Sequence, residues 1–181
     1  SYFLLLGIGF MLVEMTLLPG FIRFLSHPMI SAAVIIAAFL VFAGIGSHFS
    51  SYLTAAKNKI IMALLVAIFL LIYDYLLPII FTLGSGWPFE FKSLVSLLLL
   101  MPLGVAMGMP FPLGLQALSK HQVWWLPWAW GVNGCASVVS TSLGTLLALH
   151  LGHSKVLLLA ACCYALIVLL PLGTTEHKDN K

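Results

Sequence analysis

Long uncharged apolar runs dominate this chain and limit what it can fold into. The run from Met29 to Ile45 contains no charged residue, and over all 181 residues only 7% are charged while 62% are hydrophobic. An ordinary globular chain is about a quarter charged, so this one lacks the polar residues needed to cover a water-facing surface. The sequence therefore predicts a protein embedded in a lipid bilayer.

The apolar runs have the length of transmembrane helices. A bilayer core about 30 Å thick needs roughly 20 apolar residues in a helix. Six runs approach this length: Tyr2 to Leu18 or on to Leu25, Met29 to Phe49, Ile60 to Leu83, Ser93 to Met109, Trp128 to Leu149 and Val156 to Leu172. Barrel strands would alternate with a period of two, and the run from Met29 to Ile45 has no such period. We therefore predict an all-α, polytopic membrane helical bundle of about six transmembrane helices.

The segments between the runs carry turn residues. They are Ser26-His27-Pro28, Lys57-Asn58-Lys59, Gly84 to Pro88, Ser119 to Gln122 and Gly152 to Lys155. None is long enough for a second domain, so we expect one transmembrane domain over 1–173 and a polar C-terminal tail over 174–181. Ser1 opens directly into the first run, and we expect a trimmed chain.

Basic residues near the ends of the runs predict the orientation. The side shared by both termini carries Lys57, Lys59, Lys120, Lys178 and Lys181, and the opposite side carries Arg23, Lys92 and Lys155. Because Lys and Arg concentrate in cytoplasmic loops, we expect cytoplasmic termini. The net charge of +3 fits contact with anionic lipid headgroups, while the clustered basic stripe typical of nucleic-acid binding is missing.

Two acids lie inside apolar runs, where a charge costs on the order of 3 kcal/mol. Glu14 is near the middle of the first run and Asp74 is past the midpoint of the third. Each precedes a proline, and because proline lacks an N–H, Pro19 frees the carbonyl of Met15 and Pro78 frees that of Asp74. A carboxylate beside a free carbonyl suits a cation or proton site. The structural alternative is a Glu14 that is protonated or hydrogen-bonded in the bundle and an Asp74 near the headgroups.

Small residues and prolines define two candidate packing or partner faces. Gly104 and Gly108 lie four apart and would let another backbone approach, and Pro110 and Pro112 then end the helix before an amphipathic stretch. We call the segment Gly104 to Gly114 the elbow. It is either a gate or docking surface, or a helix end with a packing face. In the fifth run a ridge recurs at every fourth position, formed by Ala136, Ser140, Gly144 and Ala148, and such a face normally packs on a neighbouring helix.

A few polar side chains are candidates for pairing inside the bundle: Asn133, Arg23 and His27. Asn133 is placed to hydrogen-bond across to an acid such as Glu14. A haem or metal site needs ligands that converge from facing helices, and His27, His150 and His153 are the trio on one side that could supply them. No catalytic constellation is present in the sequence, and no cofactor is predicted beyond that haem alternative.

Several motifs resemble the membrane region of bacterial spermidine-synthase-like integral membrane proteins. They are Gly7 to Glu14, Phe24 to Pro28, Gly44 to Ser47, Gly108 to Gly114 and Trp128 to Gly134. Members of that family join hydrophobic helices, often likened to half of a major-facilitator transporter, to a soluble domain similar to aminopropyltransferases. The resemblance implies a bacterial inner-membrane module with Glu14, His27, Pro110, Pro112 and Asn133 at motif positions. Pro19-Gly20 departs from the pattern, which puts a continuous first helix through Arg23 in doubt.

Three functions remain open at this point. The first is a noncatalytic membrane module that anchors or couples to a partner, either a synthase-like soluble domain or a membrane complex, through the two small-residue faces. The second is a transporter-like half-bundle that moves a small cation, such as a polyamine, past Glu14 and Asp74. The third is a haem- or quinone-associated subunit of a membrane redox complex.

Overall fold

Helices make up nearly all of the described chain. The computed structural model describes residues 1–53, 55–120 and 122–170, without the side chains of 55–57 and 59. Across these residues there are seven α-helices and no strand: α1 (Tyr2–Leu25), α2 (Pro28–Ser50), α3 (Ala55–Leu83), α4 (Phe89–Gly108), α5 (Pro110–Ser119), α6 (Leu126–Leu151) and α7 (His153–Leu169). The all-α prediction is confirmed. The polar tail expected over 174–181 lies outside the described residues.

Five helical segments are long and apolar enough to cross a membrane: Tyr2–Leu25, Pro28–Ser50, Ile60–Leu83, Phe89–Ser119 and Val123–Leu151. The fourth combines α4 and α5, and the fifth includes a short 3₁₀ turn before α6. α7 is apolar but has only 17 residues, so it rises about 25 Å and is at the lower limit for a span. The described part of the chain is thus a polytopic membrane bundle with five helical segments long enough to span and one shorter apolar helix.

α1 lies at the centre of the bundle. It packs against α6 and α7, while α2 packs along α4 and α3 packs along α7. Val13 and Phe21 of α1 are completely buried. The Tyr2 hydroxyl donates a 2.7 Å hydrogen bond to the carbonyl of Pro110, which fixes the start of α1 against the elbow between α4 and α5. Side chains of α1 therefore supply much of the buried core of the bundle.

The first helix is continuous, although Pro19-Gly20 had put its continuation through Arg23 in doubt. α1 runs through Pro19 and Gly20 to Leu25. A proline removes only one intrahelical hydrogen bond, and a helix satisfies the remaining backbone polar groups within the segment itself, as a bilayer requires. Packing of Phe21 and Phe24 against Phe81 of α3, with ring centroids 5.1 and 4.7 Å apart, holds the segment after Pro19 in place.

The helices extend further than the apolar runs predicted. α3 begins at Ala55, so the expected turn Lys57-Asn58-Lys59 is helical, and α4 begins at Phe89 rather than Ser93. The expected loop Gly152 to Lys155 contracts to Gly152, whose φ of 87° favours glycine. Composition marks where the apolar region ends, but a helix continues past that point as long as its backbone groups gain partners.

Candidate functional site

Glu14 is buried at the centre of the bundle. It is the thirteenth residue of the 24 in α1, and 8% of its surface is exposed. Within the described part of the chain its carboxyl group forms no hydrogen bond or ion pair. The expectation that Glu14 lies deep in the helix therefore holds, while its role as a proton or cation site stays a prediction.

Asp74 lines a cavity of about 200 Å³ between α1, α3 and α7. We name it the α1–α3–α7 cavity. Its polar lining consists of Thr16, Arg23, Tyr73, Asp74, His153 and Ser154. Glu14 is not one of its lining residues, so the two acids of the transport hypothesis do not share this cavity.

Arg23 and His27 lie near the end of α1. Arg23 is exposed in the last turn of the helix and lines the α1–α3–α7 cavity, but no ion pair joins it to Asp74. His27 is exposed at the start of α2 and its ring meets Phe89 edge-on, with centroids 5.0 Å apart. Neither side chain pairs with an acid among the described residues, so the polar pairing predicted for them is not observed there.

Asn133 pairs with backbone rather than with an acid. Its side-chain amide donates a 3.0 Å hydrogen bond to the carbonyl of Phe3 in α1. The expectation that Asn133 reaches across to Glu14 is thus replaced by a contact eleven positions earlier on the same helix. The close packing explains this choice, because a Cβ placed on Gly7 would lie 2.5 Å from the Asn133 carbonyl oxygen.

The predicted ridge on α6 is an internal packing face. Ala136, Ser140 and Gly144 are buried, and they face α1. A Cβ on Gly7 would lie 3.1 Å from the Ala136 Cβ, and one on Gly144 would lie 3.1 Å from Leu12. We call this ridge the inner face of α6. It is already covered by α1 and does not serve as a free partner surface.

The glycines of α4 also pack internally. A Cβ on Gly108 would overlap the carbonyl oxygen of Ala43 in α2, and one on Gly104 would lie 2.8 Å from the Phe42 Cβ. Pro110 begins α5 directly after the elbow and is buried, while Pro112 is half-buried in its first turn. The close backbone approach that the glycine spacing predicts is therefore confirmed, with α2 as the neighbouring helix.

The opposite side of α6 is exposed and was overlooked in the sequence. Its small or short side chains recur at helical spacing and are Gly131, Gly134, Cys135, Val138, Ser142 and Thr145, all exposed. We call this set the outer face of α6. A Cβ on Gly131 or Gly134 would meet no atom within 4 Å. The spacing in the sequence could have identified this face, since the other five residues follow Gly131 by 3, 4, 7, 11 and 14 positions, which places all six on one side of a helix.

The three candidate haem ligands lie at the ends of helices. His27 precedes α2, His150 is in the last turn of α6 and His153 begins α7. Across residues 1–53, 55–120 and 122–170 no three His, Cys, Asp or Glu side chains form a group that could hold a metal ion. The described part of the chain therefore offers no observation in favour of the haem hypothesis.

Two further polar side chains, Lys92 and Tyr164, are buried although neither was among the candidate site residues. Lys92 is 7% exposed, and its ammonium group donates a 2.8 Å hydrogen bond to the Ser85 carbonyl. Tyr164 of α7 is fully buried, and its hydroxyl has no hydrogen-bond partner among the described residues. Neither residue has a sequence signal beyond its residue type, since burial depends on which helices meet there.

Comparison of the chain with protein families, curated proteins and solved structures found no significant match.

Proposed function

We propose that this chain is a noncatalytic membrane module that couples to another transmembrane polypeptide through the outer face of α6. The observation that carries this proposal is a mismatch between composition and exposure. The segment containing α6 has the lowest mean hydropathy of the five spans, 1.4 against 1.9 to 2.6. It is also the least buried, at 11% against 28 to 50%.

The other four spans show the relation expected for a bundle in lipid. The most buried of them, α1, has the lowest mean hydropathy of the four at 1.9, and the two least buried, α2 and α3, have the highest at 2.5 and 2.6. A helix that faces acyl chains is expected to be strongly apolar. α6 breaks this relation, and a second protein surface against its exposed side would restore it.

The residues of the outer face support a protein partner. Lipid tails gain nothing from small side chains, whereas Gly131 and Gly134 would let a second helix approach closely enough for van der Waals contact. The Ser142 hydroxyl can hydrogen-bond across such a contact, and the Thr145 hydroxyl, which donates to the Thr141 carbonyl of its own helix, can still accept a hydrogen bond there. The partner is therefore a transmembrane helix with a small-residue face of its own, from another chain or from further helices of a membrane complex.

A photo-crosslinking experiment in native membranes tests this proposal. A benzophenone amino acid replaces Val138 on the outer face, which is 72% exposed. The matched control carries the same group at Leu71 of α3, an apolar position that is 54% exposed. We expect a defined protein adduct from position 138 and lipid adducts from position 71.

The mass of the adduct identifies the partner class. An adduct at twice the mass of the chain indicates a second copy, and any other defined mass indicates a different polypeptide. Lipid adducts alone at both positions would contradict the proposal. As a second measure, Gly134→Trp should dissociate the assembly under mild detergent while Leu71→Trp leaves it intact.

We further propose that the module resides in a bacterial inner membrane with cytoplasmic termini. The family resemblance supports the compartment, and the distribution of Lys and Arg supports the orientation. Arg23 is in the last turn of α1 and Lys155 in the first turn of α7, which fits one common, less basic side. Fusions of green fluorescent protein and alkaline phosphatase after Lys181 test this, since only the first should be active if the terminus is cytoplasmic.

A further inference from the structure

The α1–α3–α7 cavity contains both signs of charge near one end of the bundle. Arg23 is two residues before the end of α1 at Leu25, and His153 is the first residue of α7. Asp74 precedes the end of α3 at Leu83 by nine residues, which corresponds to about 13 Å along the helix. By their positions in these helices, Arg23 and His153 therefore lie closer to this end of the bundle than Asp74 does.

These opposite charges do not neutralise each other. Arg23 and Asp74 both line the cavity, but no ion pair within 4.0 Å is formed between them. Opposite charges near a low-dielectric region attract strongly, and two side chains that share a cavity of about 200 Å³ would be expected to pair if their helices allowed it. Both side chains instead line the cavity space without an ion pair between them.

An unpartnered hydroxyl supports the presence of a polar ligand in that space. Thr16 is 2% exposed and lines the cavity, and its hydroxyl has no hydrogen-bond partner among the described residues. Buried polar groups are nearly always hydrogen-bonded, so this hydroxyl is suited to a group that enters the cavity. The neighbouring Tyr73 hydroxyl does not compete, because it donates to the Leu99 carbonyl.

We propose that the α1–α3–α7 cavity binds a small zwitterion of the amino acid class. The ammonium group of the ligand lies at the Asp74 carboxylate, and its carboxylate lies toward Arg23 and His153. The first turn of α7 also directs its free N–H groups to this end, which favours the negative end of the ligand. A ligand with one charge would leave the opposite charge of the cavity unpaired.

Calorimetry on the purified chain in phosphatidylglycerol nanodiscs tests this inference. The ligands are glycine, 4-aminobutanoate and 6-aminohexanoate, which vary the distance between the two charges. Butylamine and butyrate are the single-charge controls. We expect saturable binding of at least one zwitterion and no comparable binding of either control.

Substitutions test whether Asp74 and Arg23 each contribute to ligand binding. Asp74→Asn and Arg23→Gln should each weaken binding by about tenfold or more, because each removes a charge-assisted contact. Glu90→Gln and Lys155→Gln are the matched controls, since both residues are exposed and neither lines the cavity. Arg23 is itself exposed, so Arg23→Gln tests the proposal even if Asp74→Asn fails to fold.

Three results would overturn the inference. The first is no binding of any zwitterion. The second is equal binding of butylamine that Arg23→Gln leaves unchanged, which would indicate a simple cation site. The third is binding that disappears when phosphatidylethanolamine is added to the nanodiscs but is insensitive to both substitutions, which would indicate a lipid headgroup at another position.

Discussion

The side-chain amide of Asn133 donates a hydrogen bond of 3.0 Å to the backbone carbonyl of Phe3. This bond joins the first turn of the central helix α1 to the eighth residue of α6, and the segment containing α6 is otherwise the least buried span. It lies beside the close approach of Gly7 to the Asn133 backbone. A polar side chain and a glycine therefore act together to fix α6 on α1 and to leave the outer face of α6 exposed.

Replacement of Asn133 by Ala should lower the free energy of unfolding by about 1 kcal/mol. Interhelical hydrogen bonds in membrane proteins contribute about 0.6 kcal/mol on average and up to about 1.7. Denaturant titration in mixed micelles measures this change. Val138→Ala, an exposed change on the same helix, should have a much smaller effect, and equal effects of the two would show that the bond is not stabilising.

Replacement of Gly108 or Gly46 by Ala should force α2 and α4 apart. The added Cβ would overlap the Ala43 carbonyl in the first case and the Val105 carbonyl in the second, and backbone atoms cannot move aside as a flexible side chain can. Overpacking of this kind costs about 1–3 kcal/mol, which the same titration detects. Gly44→Ala is the control, because a Cβ there meets nothing within 4 Å, and it should leave stability unchanged or raise it slightly.

Replacement of Lys92 by Met should weaken the junction between α3 and α4. Met keeps an apolar stem of similar length but loses the hydrogen bond to Ser85 and the contact of the ammonium group over the Phe24 ring, 5.4 Å from its centroid. A hydrogen bond from a charged group contributes about 1.5–3 kcal/mol. Thermal unfolding in detergent measures the loss, and the exposed Lys155→Met should show almost none.

Two tyrosine hydroxyls provide a matched pair. Tyr73→Phe removes a donor to the Leu99 carbonyl and should cost about 1 kcal/mol. Tyr164→Phe removes a buried hydroxyl that has no partner among the described residues and should be neutral or stabilising. A clear loss of stability in Tyr164→Phe would show that this hydroxyl is hydrogen-bonded in the membrane, for example to a water molecule or a lipid.

Only some features of the candidate sites could be predicted from the sequence. Glycine spacing in the fourth run predicted a close helix contact, and the contact with α2 confirms it because glycine is the residue that permits such an approach. Asn133 was expected to pair with an acid, but the nearest acceptor after folding is a backbone carbonyl of α1. The sequence cannot distinguish these partners, since residue type shows that the amide can donate a hydrogen bond but not which acceptor the packed helices bring next to it.

Composition alone determined that this protein is a membrane bundle of helices, because long uncharged runs cannot be solvated by water and a bilayer leaves helix as the backbone state that satisfies them. The positions of the spans followed from the same reasoning to within a few residues. Tertiary structure alone decided that α1 is central, that the inner face of α6 is covered and its outer face is open, and that Arg23 and Asp74 share a cavity. Those outcomes depend on which helices pack together, and packing in lipid is set by shape and hydrogen bonding rather than by hydrophobicity, which nearly all of these helices share.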